Sequence, residues 1–414
     1  MDSLLGSCVG LISGSPWRAV KSSIEAAFLH CSTSAYITDV QDFTKAYMRA
    51  LSAENEMFRE HGRLHPVRDL RLLPFLFVAR VVYGPLGAEL EGELRDLIPL
   101  REQLFKSVIG GGITRFSIAR FLPLPAVRAL RNFKDRWAEW SDRAHAYALK
   151  VQITEAAPIV GMYRSVEEGK MTREQLLQTL DEILFANLDV TIGGISWSLV
   201  FLATHPAVQE ALRSEIYAHS SDGATPGAGR NAYLLSSWTK TPTLLGACIL
   251  ESARLRPLAA FSVPQSCPTP RVLDGFEIPA GTNFVIDSYA LNIRDPFWGD
   301  DRERFRPQRW LERQKSGRDL RYRYWRFGFG PRTCLGKYVA ELILRSVVVE
   351  IIENWHISLE SMAGQRERKI ESDGACDGEE EGEMDWPWDD EMWIHHPDIL
   401  LRCKSFVGQP EKAS

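Results

Sequence analysis

The chain has 414 residues, of which 45% are hydrophobic and 25% charged, so it can bury a large core and is not an intrinsically disordered sequence. Its seven cysteines are an odd number without a C-x-x-C pair, which argues against a disulfide framework or a structural zinc site and suggests a reducing compartment. The net charge is −5. No apolar run approaches the length of about 20 residues that spans a bilayer, and the N-terminus lacks the basic residues that begin a signal peptide.

Most of the first 260 residues show the apolar spacing of helices. The segment "SPWRAVKSSIEAAFL" begins with a serine and carries a proline in its first turn, as helices often do. Further helices are predicted at 69–84, 130–153 and 172–204. The last of these runs for more than 30 residues before Pro206, far above the usual helix length.

From 261 to 286 the pattern changes to short strands and turns, and a helix is predicted again at 337–355. The C-terminal segment predicts a short hairpin interrupted by an acidic run at 371–391, with eleven acids and no base. We assign 364–392 to an acidic low-complexity insertion that is solvated or disordered. The predicted fold class is mainly α with small β-sheets, in a single domain over 1–414.

Residues 302–332 form a basic segment, with eleven lysines and arginines against three acids, directly before Cys334. One interpretation is a solvated loop, and the other is a positively charged surface that docks an acidic protein. Composition leaves both open, and nothing in the charge distribution predicts a nucleic-acid partner.

The segment "RFGFGPRTCLGKYVAE" places one cysteine between glycines and an arginine, just before a predicted helix. Its pattern, Phe327-x-x-Gly330-x-Arg332-x-Cys334-x-Gly336, resembles the haem-binding loop of the cytochromes P-450, the haem-thiolate monooxygenases. The resemblance implies that Cys334 is the axial iron ligand, that Arg332 pairs with a haem propionate and that Phe327 packs beside the sulfur. Glycines let the backbone turn sharply beneath a flat macrocycle, and a following helix N-terminus favours thiolate over thiol.

Two further segments carry the same resemblance. "ILESARLRP" contains Glu251-x-x-Arg254, whose spacing puts both side chains on one side of a helix, and "RFRPQRW" supplies Arg309. A single glutamate–arginine pair at this spacing occurs by chance on any helix. The resemblance implies that the three form a buried charge cluster that supports the cysteine loop, and breaking such a pair typically costs about 3–5 kcal/mol.

"FANLDVTIGG" on the long helix resembles the family's segment opposite the iron, where a small residue, a glycine, an acid and a threonine are usual. Asp189 matches the acid, but Asn187 replaces the glycine, and Val190 stands where the threonine is expected, with Thr191 following. We expect Asp189 and Thr191 to take part in proton delivery, as catalytic residues. An Asn187–Thr191 pair or a local widening of the helix would let the displaced threonine contribute.

One face of the same helix is short of side-chain bulk. Ala186, Val190, Gly193, Gly194 and Trp197 fall on this face, which predicts room for a flat ring or a substrate. The alternative is that the two glycines are weak points of the helix, each costing about 1 kcal/mol.

"GSPWRAVKSS" resembles the family's early helix, where a tryptophan and an arginine four residues later bind a haem propionate. Here these are Trp17 and Lys21, and lysine keeps the charge but loses the bidentate fork of arginine. The resemblance implies that the family's membrane anchor, its first helices and most of its larger sheet precede this point and are missing from this chain.

The resemblance implies a monooxygenase that inserts one oxygen atom of dioxygen into an apolar small molecule. Its cofactor would be haem b (iron protoporphyrin IX), with electrons from NADPH through a cytochrome P-450 reductase. Because Arg318, Arg321, Arg323 and Arg326 lie just before the cysteine loop, the resemblance favours the docking interpretation, with the reductase as partner.

"DLRLLPFLFVARVVYGPL" and "ANLDVTIGGISW" resemble fungal secondary-metabolism members of the family, including those acting on diketopiperazine-type peptides. Such members are held at the endoplasmic reticulum; without an anchor, a chain of this kind would be cytoplasmic or peripheral.

Two alternatives stay open from the sequence. The first is a haem-thiolate enzyme that catalyses a redox-neutral or peroxide-driven reaction, which would tolerate an altered proton path. The second is a non-catalytic, truncated haem-binding remnant.

Overall fold

The computed structural model describes residues 2–111, 122, 124–151, 157–220, 228–236, 243–315, 320, 322–360 and 394–406. The helices in these ranges are α1 (Asp2–Leu5), α2 (Gly14–Ile24), α3 (His30–Ala35), α4 (Ile37–Glu54), α5 (Glu56–His61), α6 (Leu72–Tyr83), α7 (Ala88–Ile109), α8 (Pro125–Lys150), α9 (Pro158–Glu167), α10 (Arg173–Phe185), α11 (Val190–Thr204), α12 (Pro206–Ser220), α13 (Ala228–Ser236), α14 (Leu244–Leu255), α15 (Gln308–Lys315) and α16 (Lys337–Asn354). Short 3₁₀ segments lie at Glu25–Phe28, Ala186–Leu188, Pro296–Trp298 and Gly330–Arg332, and a π-helical segment at Ala290–Arg294.

The strands in these ranges form three small antiparallel sheets. They are β1 (Arg63–Leu64), β2 (Gln265–Ser266), β3 (Arg271–Leu273), β4 (Phe276–Ile278), β5 (Asn283–Phe284), β6 (Trp355–Leu359) and β7 (Leu401–Ser405). One sheet has the order β1–β7–β6, and β2 pairs with β5 and β3 with β4. The predicted class, mainly α with small β-sheets, is confirmed.

The predicted C-terminal hairpin is the pair β6 and β7, whose register runs from Trp355 opposite Ser405 to Leu359 opposite Leu401. Alternating burial along β7 places Leu401 and Cys403 inside, as expected for a strand with one covered face. The acidic insertion proposed at 364–392 lies outside the described residues.

The chain forms two compact units, of which the first comprises Met1–Phe43, Arg71–Thr191 and Leu335–Leu342. Its core is rich in aromatic side chains: Trp137 stacks on Trp140 at 5.3 Å, and Tyr83 meets Trp140 edge-on at 4.9 Å. Helix α6, whose sequence is apolar almost all round, is buried on nearly every side in this core.

The long helix predicted at 172–204 begins as its sequence indicates. Thr172 and Gln175 form a reciprocal capping box at the start of α10. The helix is not continuous, however, because α10 ends at Phe185 and a 3₁₀ segment precedes α11. The prediction of one unbroken helix is therefore wrong at Ala186–Leu188.

The second unit comprises Thr44–Leu70, Ile192–Cys334 and Ile343–Ser414, and it holds all three sheets. The buried amide of Gln209 on α12 accepts a hydrogen bond from the N–H of Ile357 (3.0 Å) and donates one to its carbonyl (2.9 Å), which joins this helix to β6. A second buried cluster packs Trp298 against Trp310 at 5.3 Å, with Ala247 beside them.

One helical run among the described residues, Arg173–Thr204, is long and apolar enough to cross a membrane. The count of apolar residues in the sequence did not single it out. In the structure 67% of its apolar window is buried inside the protein, as in the core helix of a globular domain.

Candidate active site

The cysteine loop turns through two glycines in the left-handed region. Gly328 has φ 80° and Gly330 has φ 69°, values that side chains larger than hydrogen rarely adopt. The Cys334 N–H donates to the Phe327 carbonyl at 2.8 Å and closes the loop, so Cys334 lies three residues before α16 begins. The Cys334 side chain is exposed.

The other predicted residues of this loop lie shortly before and after Cys334 in the sequence. Arg332 ends the 3₁₀ segment, and partial burial lowers the pKa of its guanidinium. Phe327 lies under the Arg326 guanidinium at 4.6 Å. A Cβ atom added at Gly336 would meet nothing within 4 Å, so the space beside it is open.

The structure brings Glu251, Arg254 and Arg309 together in one buried cluster. Both oxygens of Glu251 receive side-chain donors: Arg254 at 2.9 Å to each oxygen, Arg309 at 2.7 Å and the Trp310 indole at 2.8 Å. A fifth donor is the Arg306 backbone N–H at 3.1 Å. Glu251 and Arg254 are 0% exposed, so this carboxylate and its cations depend on one another for the solvation that water would otherwise provide.

Arg309 extends the cluster to the turn at 298–304. Its guanidinium donates to the carbonyls of Trp298 (2.8 Å) and Asp301 (2.7 Å) and to the Asp301 carboxylate (3.0 Å). Burial opposes ionisation of Asp301, but hydrogen bonds from Arg309 and Arg306 outweigh it and lower the pKa of this carboxyl. The cluster therefore binds α14, this turn and α15 to one another.

The break between α10 and α11 carries the second set of predicted residues. Thr191 is buried, and its hydroxyl donates to the Asn187 side-chain oxygen at 2.6 Å, while the Asn187 amide donates to the Ile183 carbonyl at 2.5 Å. The local polar pair expected at i, i+4 is thus present. The alternative expectation, a widened helix, is wrong, since the turn at Ala186–Leu188 is a tighter 3₁₀ segment.

An arginine that the sequence did not single out holds this break in place. Arg71, directly before α6, donates to the Leu188 carbonyl at 3.2 Å and to the Asp189 carboxylate at 2.9 Å, and it pairs with Glu102 at 2.5 Å. The carbonyl freed by the helix break thereby finds a donor. The one available signal was an arginine directly before a mostly apolar helix, because a partly buried arginine needs an anionic partner.

At its two glycines, the bare helical face predicted to admit a flat ring or a substrate is filled by protein. A Cβ atom added at Gly193 would lie 2.8 Å from Leu258 and 3.2 Å from His396, and one at Gly194 would lie 2.9 Å from Leu344. The prediction of open space at these glycines is therefore wrong, because side chains from distant segments pack directly against the helix backbone.

The early helix places Trp17 and Lys21 one turn apart on α2. The Lys21 ammonium lies 5.9 Å from the centroid of the Trp17 ring and also pairs with Glu25. Both predicted residues therefore share one side of the helix, at its solvent-accessible surface.

The described part of the basic segment is only partly accessible, because Arg309 is buried in the charge cluster. Arg323 is exposed, lies over the Phe297 ring at 5.2 Å and contacts Asp295 at 3.5 Å. Arg326 is half-buried. Arg318 and Arg321 lie outside the described residues.

A family comparison accounts for these features together. The family model described as cytochrome P-450 matches residues 11–375 of this chain. The chain belongs to the cytochrome P-450 family.

Fungal cytochromes P-450 are similar to it along nearly its whole length. The cytochrome P-450 monooxygenase aclC of Aspergillus oryzae is 44% identical over 97% of this chain and 76% of its own length. The monooxygenase asaD of Aspergillus flavus is 41% identical over 97% of this chain and 71% of its own length. A solved structure of a zebrafish cytochrome P-450 with progesterone superposes with a TM-score of 0.70 at 17% identity, covering 98% of this chain and 86% of that one, which shows the shared fold.

The chain is therefore a haem-dependent monooxygenase, with a cysteine thiolate on the iron, a redox partner that supplies electrons and a small-molecule substrate. The residues present fit that cofactor. The cysteine loop offers an exposed thiol after two left-handed glycines, and Ala186 is exposed on a helical run whose neighbours Phe185 and Leu188 are buried.

Proposed function

We propose that the haem iron of this monooxygenase is ligated by Cys334. The observation that supports this best is the placement of its exposed thiol at the end of the glycine-turned loop and just before α16. The partial positive charge of a helix N-terminus favours thiolate over thiol at such a position. Cys31, the other exposed cysteine among the described residues, lies within α3 and has no such loop.

Arg332, Trp17 and Lys21 are proposed to bind the haem propionates, and Phe327 to pack beside the sulfur, as the family resemblance implies. A partly buried guanidinium such as that of Arg332, whose pKa is lowered by burial, gains stability from an anionic partner. When bound, the haem supplies the redox chemistry that activates dioxygen, and the protein binds, orients and delivers protons.

Proton delivery is proposed to use Asp189 and Thr191. The Thr191 hydroxyl donates its own proton to Asn187, so its oxygen is left to accept a hydrogen bond from water or substrate. The Asp189 carboxylate is held by Arg71 at 2.9 Å, beside the helix break. A carboxylate and a hydroxyl two residues apart provide two oxygens through which a proton can pass.

The proposed substrate is an apolar small molecule of fungal secondary metabolism, of the cyclic dipeptide class. Support comes from the similarity to fungal monooxygenases and from the segments "DLRLLPFLFVARVVYGPL" and "ANLDVTIGGISW".

The test incubates the haem-loaded protein and a fungal reductase with NADPH, isotopically labelled dioxygen and a panel of cyclic dipeptides. A product carrying one labelled oxygen atom is expected. Product formed without NADPH and dioxygen would instead identify a redox-neutral or peroxide-driven enzyme.

The redox partner is proposed to be an NADPH–cytochrome P-450 reductase that docks on the basic region around Arg318–Arg326. Exposed Arg323 and the charge balance of 302–332 support this placement. Reversing the charge at Arg321 and Arg323 should slow reduction by the reductase, and the defect should change with ionic strength. Unaltered reduction rates across the salt series would remove this surface from the proposal.

We also propose that residues 1–414 act as one catalytic domain with an acidic insertion at 364–392, working at the endoplasmic reticulum membrane as its family resemblance implies. Co-sedimentation of the full-length protein with endoplasmic-reticulum markers after cell fractionation is the expected result. Recovery with cytosolic markers would overturn this location.

A further inference from the structure

A buried asparagine pairs with the chain just ahead of the cysteine loop. Asn292 is 0% exposed, and its amide donates to the Trp325 carbonyl at 2.7 Å while its side-chain oxygen accepts from the Trp325 N–H at 2.7 Å. This is the two-bond pairing that a neighbouring β-strand would offer, made here by one side chain. Both backbone groups of Trp325 are therefore fixed at a single point.

The backbone of Asn292 is in turn fixed to the charge cluster. Arg254, held by Glu251, donates to the Asn292 carbonyl at 2.9 Å. The Trp298 indole donates to the carbonyl of the preceding residue, Leu291, at 2.9 Å. Asn292 also lies in the π-helical segment Ala290–Arg294, and such wider turns are frequent at functional sites because they redirect a side chain.

On the other side, the Trp325 ring lies against the cysteine loop. It meets Phe329 edge-on at 4.9 Å, and a Cβ atom added at Gly328 would lie 3.7 Å from the indole. The same loop closes through the hydrogen bond from the Cys334 N–H to the Phe327 carbonyl. A continuous series of contacts thus joins the buried charge cluster to the loop that carries the thiol.

We propose that Asn292 is a positioning residue that sets the geometry of the cysteine loop, and hence the strength of thiolate ligation to the haem iron. This inference rests on the proposed role of Cys334 as the ligand. Groups that orient a metal ligand from behind typically change metal affinity or activity by about 10–100-fold when they are removed. Without the amide, the Trp325 backbone loses both hydrogen bonds to Asn292 and the cysteine loop can shift away from the position that favours ligation.

The test compares two variants that lose the same kind of interaction. Asn292→Ala removes the amide pairing with Trp325, and Gln209→Ala removes the equivalent buried pairing with Ile357, away from the loop. Both should lower the melting temperature. Only Asn292→Ala should raise, several-fold above the wild type, the fraction of the reduced, carbon monoxide-bound protein that shows the thiol-type spectrum. The same variant should also shift the haem reduction potential.

The outcomes separate this inference from the proposed function. A Cys334→Ser variant measured in parallel should lose the thiolate spectrum; if it keeps that spectrum, the proposed ligand is wrong and this inference falls with it. If Cys334→Ser behaves as expected but Asn292→Ala matches the wild type or Gln209→Ala in spectrum and potential, only the positioning role is refuted.

If Asn292→Ala gives no folded haem protein, Trp325→Phe tests the same series of contacts, because it keeps both backbone hydrogen bonds and removes indole contacts with Gly328 and Phe329. A changed thiol-type fraction would support the inference, and a wild-type spectrum and potential would overturn it.

Discussion

Replacing Glu251 with glutamine is the most informative single change in the buried charge cluster. The side chain keeps its size, but its charge is lost, and one of its two acceptor oxygens becomes an amide nitrogen. That nitrogen must face donors: Arg254 and Trp310 if it takes one position, or Arg254, Arg309 and the Arg306 N–H if it takes the other. The first orientation costs less, yet it still leaves two donors without an acceptor.

The expected magnitude follows from those contacts. Each buried donor left unsatisfied costs about 1–3 kcal/mol, and Arg254 loses the only carboxylate that it contacts among the described residues. Breaking a buried ion pair by removing one partner costs about 3–5 kcal/mol in other proteins. Because folded proteins are stable by only about 5–15 kcal/mol, Glu251→Gln should remove a large part of the stability of the second unit.

Denaturant titration followed by tryptophan fluorescence measures this loss, since Trp298 and Trp310 lie in the cluster itself. The matched control is Glu93→Gln, which breaks the exposed pair with Arg143, and it should leave the titration unchanged. A Glu251→Gln protein as stable as the control variant would refute the reasoning, because the carboxylate would then not compensate the buried guanidinium groups.

Three further outcomes are expected. Gly193→Ala should destabilise the protein by about 1–3 kcal/mol through overpacking, whereas Gly161→Ala, in an open helical position, should stabilise it by about 0.5–1 kcal/mol; thermal melts giving both the same sign would contradict the packing account. Thr191→Val should raise the NADPH consumed per product formed, while Thr204→Val, which also removes a helix-bound hydroxyl, should not; equal coupling ratios would exclude Thr191 from proton delivery. The folded state lowers the pKa of Asp301, so its carboxylate contributes stability above the ordinary carboxyl pKa near 3.8 and loses it as pH falls through the lowered value. The melting-temperature difference between wild type and Asp301→Asn should thus stay constant from neutral pH down to about pH 3.8 and shrink at lower pH. A difference that shrinks as the pH is raised would contradict the lowered pKa.

The sequence was most informative where chemistry is local. The spacing around Cys334 lies within ten residues, and Gly328 and Gly330 can adopt the positive φ that the turn requires, so both the turn and the thiol could be anticipated. The i, i+3 pair of Glu251 and Arg254 was visible for the same reason, whereas their contact with Arg309 followed only from the family resemblance.

Features that depend on distant partners could not be predicted in this way. The face at Gly193 looks bare in the sequence, but Leu258 and His396 occupy it in the fold. The pairing of Asn292 with Trp325 has no sequence signal, because any buried asparagine can meet any free stretch of backbone.

The helix break at Ala186–Leu188 was missed because the segment contains neither proline nor glycine. The donor that satisfies the freed carbonyl of Leu188 comes from Arg71, far away in the chain. Propensity is a weak guide where a tertiary contact decides the local structure.

The central claim is that one sulfur atom, that of Cys334, binds the haem iron. The most direct measurement is the reduced carbon monoxide difference spectrum of haem-loaded Cys334→Ser, with Cys31→Ser as the control that removes the other exposed thiol among the described residues. Cys31→Ser should keep the thiolate-type band, and Cys334→Ser should lose it. A thiolate-type band that survives in Cys334→Ser would contradict the account.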